Sequence, residues 1–225
     1  MKNLKNAYVL DACIWPENGR FKGMSEDYKE SLLDACFLTL DGTDFRTGVE
    51  CLGQVSELTD DPAERIRIAR TYDDLMKNKA DGYKSLILYF QDPAPLENKL
   101  YVAKAFYEMG VRVIQMSYNK GGYIGGGCVE GGDYGLTDFG KALVKEFNQM
   151  GMLIDLSHCG PKVVEDVLSL SEKPVTIGHT CCKALADNPR NKTDEQMKML
   201  KENGGVIGMT PWAPCLLYTS DAADD

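Results

Sequence analysis

Apolar and polar positions alternate along the chain in two kinds of block, and the two kinds take turns. Short apolar runs occupy 8–14 (YVLDACI), 35–40 (ACFLTL), 85–90 (SLILYF), 111–117 (VRVIQMS), 152–157 (MLIDLS), 174–178 (PVTIG) and 205–210 (GVIGMT). Short, mostly apolar runs of this length read as strands. Between them lie amphipathic stretches with start and stop signals. Residues 62–79 are expected as one long helix, because Asp61 offers an N-cap, Pro62 suits the first helical position and Glu64 the third. Residues 97–109 and 138–150 are expected as helices closed by Gly110 and Gly151, and 161–170 as a helix opened by Pro161. A further helix over 194–202 opens with the capping box Thr193–Gln196.

Strands separated by single helices need right-handed crossovers and therefore a mostly parallel sheet. A doubly wound sheet and a (β/α)8 barrel both fit. The former usually advertises a Gly-rich turn after its first strand, and none follows 8–14. The expected fold class is therefore α/β, a (β/α)8 TIM-type barrel. It is expected to be incomplete, with about seven strands present and the final β/α unit missing, since a whole barrel of this kind takes ~250 residues. The end of the chain, 215–225 (CLLYTSDAADD), matches one reading frame of a transposase adapter used in sequencing libraries. It is read as a non-native C-terminal tail on a truncated domain over 1–214.

Composition narrows the partners. The formal net charge is −9, so there is no basic surface to neutralise phosphates, and nucleic acid is not expected as a partner. The eight cysteines are too irregularly spaced for a disulfide scaffold. The start Met1-Lys2-Asn3-Leu4 is not a signal peptide, and the run 8–14, broken by Asp11, is too short to span a membrane. A reducing, cytoplasmic setting follows as the expectation. The oligomeric state stays open, with a homodimer among the options.

In a barrel of this class the chemistry sits at the C-terminal ends of the strands. Those ends carry Cys13 and Trp15, Asp41 and Asp44, Gln91 and Asp92, Tyr118 and Asn119, His158, His179 and Trp212. The chain has only two histidines, and both fall at equivalent positions on consecutive strands. One alone reads as a buried ring satisfied by a neighbouring carbonyl. Two, side by side, fit one divalent ion, for which imidazole is a usual ligand. Arg190, on the loop after His179, could grip a carboxylate bidentately or lie exposed on the loop. The Gly-rich loop 121–135 carries Glu130 and Asp133 and no Lys-Ser/Thr, which argues against phosphate binding and for a flexible lid. Cys159 beside His158 invites a thiol-nucleophile reading, but neighbours in an extended segment face opposite ways. Cys181-Cys182 lack the spacing of a redox or zinc pair.

At this point residues 97–210 resemble the membrane (renal-type) dipeptidases, zinc-dependent (β/α)8 hydrolases with a two-metal site. The resemblance runs through AFYEMGVR (105–112), GLTDFG (135–140), GMLIDLSH (151–158), Gly178-His179 and Pro189-Arg190-Asn191. It implies that His158 and His179 bind one metal and that Arg190 holds the substrate carboxylate. The chain departs from the family at three positions. Cys13-Ile14-Trp15 stands where a His-x-Asp pair is expected, Gln91 where a bridging glutamate is expected, and Tyr118 where an active-site histidine is expected. Two divalent ions a few ångströms apart need a bridging charge, which Gln91 lacks. One zinc ion per chain is therefore expected, held by His158, His179 and Cys13 or Gln91, with Tyr118 and Gln91 in catalytic places and Asn119 beside Arg190 on the substrate.

Three functions stay open. The first is a metal-dependent hydrolase of a dipeptide or small carboxylated amide. The second is a small-molecule-binding relative that has lost its metals. The third is an unrelated barrel enzyme using Tyr118 or Asp155 as acid or base.

Overall fold

The computed structural model describes residues 7–16, 21–129 and 134–216, and it divides into two compact units, Met1–Val113 and Ile114–Asp225. Parallel strands alternate with helices through both, which is the pattern of an incomplete (β/α)8 barrel.

In the first unit β1 (Leu10–Ile14) pairs with β2 (Ala35–Thr39) in parallel, Leu10 opposite Ala35. The first helix, α1, is Phe21–Glu30, and α2 is Phe45–Asp60. A short strand β3 (Ile66–Ile68) and helix α3 (Tyr72–Ala80) precede β4 (Lys84–Phe90). β2 lies along β4 from Ala35–Ser85 to Thr39–Tyr89, and both are buried along nearly their whole length, as parallel strands covered on both faces must be. α4 (Leu100–Glu108) follows, and β5 (Val111–Gln115) straddles the limit between the units.

The single helix expected over 62–79 is not formed. Asp61 does cap a start, accepting from the Ala63 amide at 2.9 Å, but the turn Pro62–Glu64 is a 3-10 turn that ends at Arg65, whose φ is 50°. The alternating Ile66-Arg67-Ile68 then pairs with β4 as β3. A second start signal, the Thr71–Asp74 capping box, opens α3. Glu97 and Asn98 have φ of 50° and 56°, which holds α4 back to Leu100 instead of the expected 97. The helices α1 and α2 were not foreseen. Asp44, considered as a strand-end functional group, is the N-cap of α2 and accepts from the Thr47 amide at 2.8 Å.

In the second unit α5 (Asp138–Met150) and α6 (Pro161–Leu170) have the expected bounds. Thr137 caps α5, and Gly151 closes it at φ 80°. The strands β6 (Leu153–Asp155), β7 (Thr176–Thr180) and β8 (Val206–Met209) are paired in parallel, with α7 (Asp194–Asn203) between the last two and α8 (Ala213–Leu216) after them. Leu143, Val144 and Phe147 of α5 and Val163, Val164 and Val167 of α6 are fully buried, as are Ile154 and Ile177 of the strands. β7 starts two residues later than expected, so His179 stands within the strand instead of after it.

Candidate functional site

β6 stops at Asp155, where the carboxylate turns the chain. The Asp155 Oδ1 atom, fully buried, accepts from the Ser157 amide (3.2 Å), the Ser157 hydroxyl (2.7 Å) and the Gly178 amide on β7 (2.9 Å). The Ser157 oxygen in turn accepts from the His179 amide at 3.1 Å. Asp155 thus braces two strands, and its Oδ1 has three donors.

Asp155 is paired with Thr176 across the sheet, and His158 and His179 lie at the same offset beyond them. Their Nε2 atoms approach to 3.0 Å, inside the span of two ligands on one ion. The other ring nitrogen of His158, Nδ1, lies 2.7 Å from the side-chain oxygen of Asn119, and the ring of Tyr118 stacks on it with centroids 4.3 Å apart. Donation of Nδ1–H to Asn119 leaves Nε2 as the unprotonated nitrogen, the tautomer a metal ligand requires. Burial, reinforced by the charges of Arg190, His179 and Lys192, holds the basicity of His158 far below the ordinary imidazole value.

Asn119 has φ 54°, a region asparagine tolerates better than most residues. Its backbone is crossed closely by Gly127, where any Cβ would collide with the Asn119 carbonyl. The loop read from the sequence as a flexible lid is, over its described part, a laced wall. Val129 N donates to Asn119 O (2.8 Å), Cys128 N to His158 O (3.1 Å), and Ser117 Oγ and Gly160 N to Gly126 O (3.0 Å each). Glu130 and Asp133 lie outside the described residues. The Cys128 thiol points at Asn119 Oδ1 from 3.7 Å, and burial pushes its pKa up. Cys159, next to His158, turns into the core.

Arg190 is 7% exposed, and its Nε and Nη2 are buried without a hydrogen-bond partner. Its backbone is fixed, with Thr180 Oγ1 donating to its carbonyl at 2.8 Å and Asn188 Oδ1 taking its amide at 2.9 Å. The guanidinium sits 5.8 Å from the ring of Trp212. A buried cation with two unused donors in a fixed fork is suited to an incoming carboxylate. Sequence reasoning did not single out Lys192, which is buried in the same unit. A lysine directly before the Thr193 cap carries no signal that distinguishes it from an exposed one.

The first unit holds the remaining expected residues. The Gln91 side-chain amide donates toward the Cys13 sulfur at 3.6 Å, and that sulfur lies 4.0 Å from Thr39 Oγ1. Trp15 is more than half exposed. Two carboxylates here are engaged locally: Asp92 accepts from the Ala94 amide at 2.9 Å, and Asp44 caps α2. Among the described residues no cluster of three or more His, Cys, Asp or Glu side chains is arranged to hold a metal.

A parallel strand–helix alternation, with paired imidazoles and a buried arginine in its second unit, places the chain among (β/α)8-barrel proteins, and the family model narrows it further. Residues 16–223 match the model of the membrane dipeptidases, peptidase family M19, and the chain belongs to that family. It is 30% identical over 150 residues to Dipeptidase verJ of Clonostachys rogersoniana, covering 66% of this chain and 39% of that protein. It is 33% identical over 121 residues to Dipeptidase 3 of Mus musculus, covering 51% and 24%. Among solved structures it is similar to an amidohydrolase from Pseudomonas aeruginosa, with TM-score 0.81, 30% identity, and coverage of 90% and 62%. The chain therefore spans well under half the length of these curated relatives.

Membership of this peptidase family implies a metal cofactor. The donor set fits in part: two converging imidazoles, one oriented through its far nitrogen, suit one ion as half of its ligands. No helix of the described residues is long and apolar enough to cross a membrane.

Proposed function

We propose that this protein is a metal-dependent dipeptidase that hydrolyses a dipeptide, or a small carboxylated amide of similar size, by attack of an activated water. The observation that carries the reading is the 3.0 Å approach of the His158 and His179 Nε2 atoms, one ring oriented by Asn119, in the unit that also holds the unpartnered Arg190 donors. His158 and His179 are the ligands of about one zinc ion per chain. When bound, that ion supplies a Lewis acid that acidifies water and polarises the amide carbonyl.

The chain's own residues do the rest. Arg190 binds the substrate carboxylate through its two free N–H groups and orients the amide. Tyr118, stacked on His158, offers its hydroxyl as a hydrogen-bond donor to the reacting carbonyl. Asn119, expected on the substrate, uses its oxygen to hold the His158 ring, so its role in this reading is to fix a ligand. Cys13 and Gln91, expected as metal ligand and catalytic amide, lie in the first unit, where they bond to each other, and those roles are tested separately by Cys13→Ser and Gln91→Ala. All eight cysteines are free thiols, which supports a reducing, cytoplasmic setting.

Elemental analysis of zinc-loaded, dialysed protein, paired with a dipeptide hydrolysis assay, tests the proposal. A ratio near one zinc per chain and chelator-sensitive hydrolysis are expected. A ratio near two defeats the single-ion count, and a ratio near zero without hydrolysis defeats the enzyme reading.

A further inference from the structure

Lys192 is 2% exposed, which is unusual for an ammonium, whose removal from water is costly unless it is well bonded. Its Nζ donates to two main-chain carbonyls, Ser157 O and Cys159 O, at 3.1 Å each. These two peptides flank His158 on either side. The main chain of Lys192 is tied to a different place. Its amide donates to Cys181 O at 3.0 Å, its carbonyl accepts from the Lys183 amide at 2.9 Å, and it forms an isolated parallel bridge with Cys182. That second set of bonds fastens it to the continuation of β7, the strand that carries His179.

We infer that Lys192 is a positioning residue that ties the His158 turn to the end of the His179 strand and so sets the separation of the two imidazoles. The role follows from the pattern of bonds. Each end of the residue reaches a segment next to one histidine. The His158 turn is also held by neutral backbone bonds, Cys128 N to His158 O and Gly160 N to Gly126 O. Lys192 adds two side-chain bonds to carbonyls of the same turn, and such bonds are stronger than neutral ones when the amine is charged. An apolar side chain of the same length would fill the space and leave both carbonyls without a donor. Burial pushes the Lys192 pKa down, and the bonds to the two carbonyls offset part of the cost of holding the amine in this site. The inference rests on the reading of His158 and His179 as a ligand pair only for its consequence in zinc binding.

The chain has two histidines, so protein labelled with 15N-histidine gives two ring spin systems in long-range 1H–15N spectra. These are recorded on the metal-free protein, with circular dichroism as the check on folding, for the wild type, Lys192→Met and Lys192→Gln. In the wild type the His158 ring is expected as a single Nδ1–H tautomer. In Lys192→Met it is expected to show mixed tautomers, and zinc affinity measured by competition with a chromophoric chelator should fall about tenfold, the usual size of a loss behind a metal ligand. Lys192→Gln is one bond shorter and can hold one carbonyl at most, so an intermediate loss is expected, and it decides the matter if the methionine variant does not fold. Ring spectra and zinc affinity unchanged from the wild type in a folded variant would overturn the inference. If the wild type binds no zinc, the ligand reading fails while the ring spectra still decide the tie.

Discussion

The strand ends of the two units are built from different chemistry. In Met1–Val113 the candidate groups are mostly engaged with one another or with local backbone: Gln91 on Cys13, Asp92 on Ala94, Asp44 on the first turn of α2. In Ile114–Asp225 Arg190, Lys192 and His158 are buried, His179 is half-buried, and the carboxylate of Asp155 braces the turn. A chain with net charge −9 has thus gathered Arg190, Lys192 and two histidines into one region where no carboxylate pairs with the arginine side chain among the described residues. Acidic composition says nothing about the sign of a buried site, because the acids are spent on helix caps and surface pairs such as Arg67–Asp81.

The largest effect that would break this contrast is expected at Arg190. Arg190→Met should lower dipeptide kcat/KM by about 100-fold or more, consistent with the ~2–5 kcal/mol that loss of a buried, charged hydrogen-bonding partner costs. Arg190→Lys should recover little, since an ammonium cannot present the fork. Substrate lacking its carboxylate should be insensitive to both variants, and equal losses on both substrates would show that Arg190 acts through the fold.

A smaller effect distinguishes the units by metal uptake. Asn119→Ala is expected to weaken zinc binding by about 10–100-fold, as removal of a partner behind a ligand does. Gln91→Glu alone should leave the zinc ratio near one, because a bridge without terminal ligands holds a second ion weakly, and should raise it only together with repair of position 13 or 15. Elemental analysis of the variants checks both statements, and a ratio near two for Gln91→Glu alone contradicts the second.

The smallest effect concerns pH. His158 has its folded-state pKa far below the unfolded value of 6.5, so the unfolded chain takes up a proton that the folded chain refuses. Below about pH 6.5 the folded state therefore loses stability, by at most about 1.4 kcal/mol per pH unit. Above pH 6.5 the group contributes no pH dependence. Melting of metal-free His158→Gln between pH 7 and 5 should show a flatter decline than the wild type, and parallel curves would assign the acid sensitivity to other groups.

Much of the second unit was legible in sequence because its boundaries carry side chains with one meaning. Thr137 and Gly151 bracket α5, Pro161 opens α6, and the Thr193–Gln196 box opens α7. The paired histidines were legible from the same regularity, since strands of matched register carry matched positions. The first unit misled because two start signals, Asp61-Pro62 and Thr71–Asp74, fall close together, and the short Ile66-Arg67-Ile68 between them is decided by pairing with β4 instead of by propensity. α2 was hidden for a related reason. It contains Gly48 and Gly53, poor helix formers, and Gly48 packs against Phe106 and Phe90, a contact with partners far along the chain. In the Gly-rich loop, glycine at 127 serves a close backbone approach to Asn119 that the sequence did not announce. Asn119 was found as a candidate, but its partner could not be, because the bond to His158 joins residues 39 apart in sequence.

The stacking of Arg190 against Trp212 gives the molecule an optical gauge of its own. The chain has two tryptophans, Trp15 and Trp212, both about half exposed, so Trp15→Phe leaves a single emitter whose ring faces the guanidinium at 5.8 Å. A carboxylate drawn onto Arg190 changes the field at that indole, and its emission should shift on titration with a non-hydrolysable dipeptide mimic. Occupancy could then be followed in solution by fluorescence, without turnover and without a label.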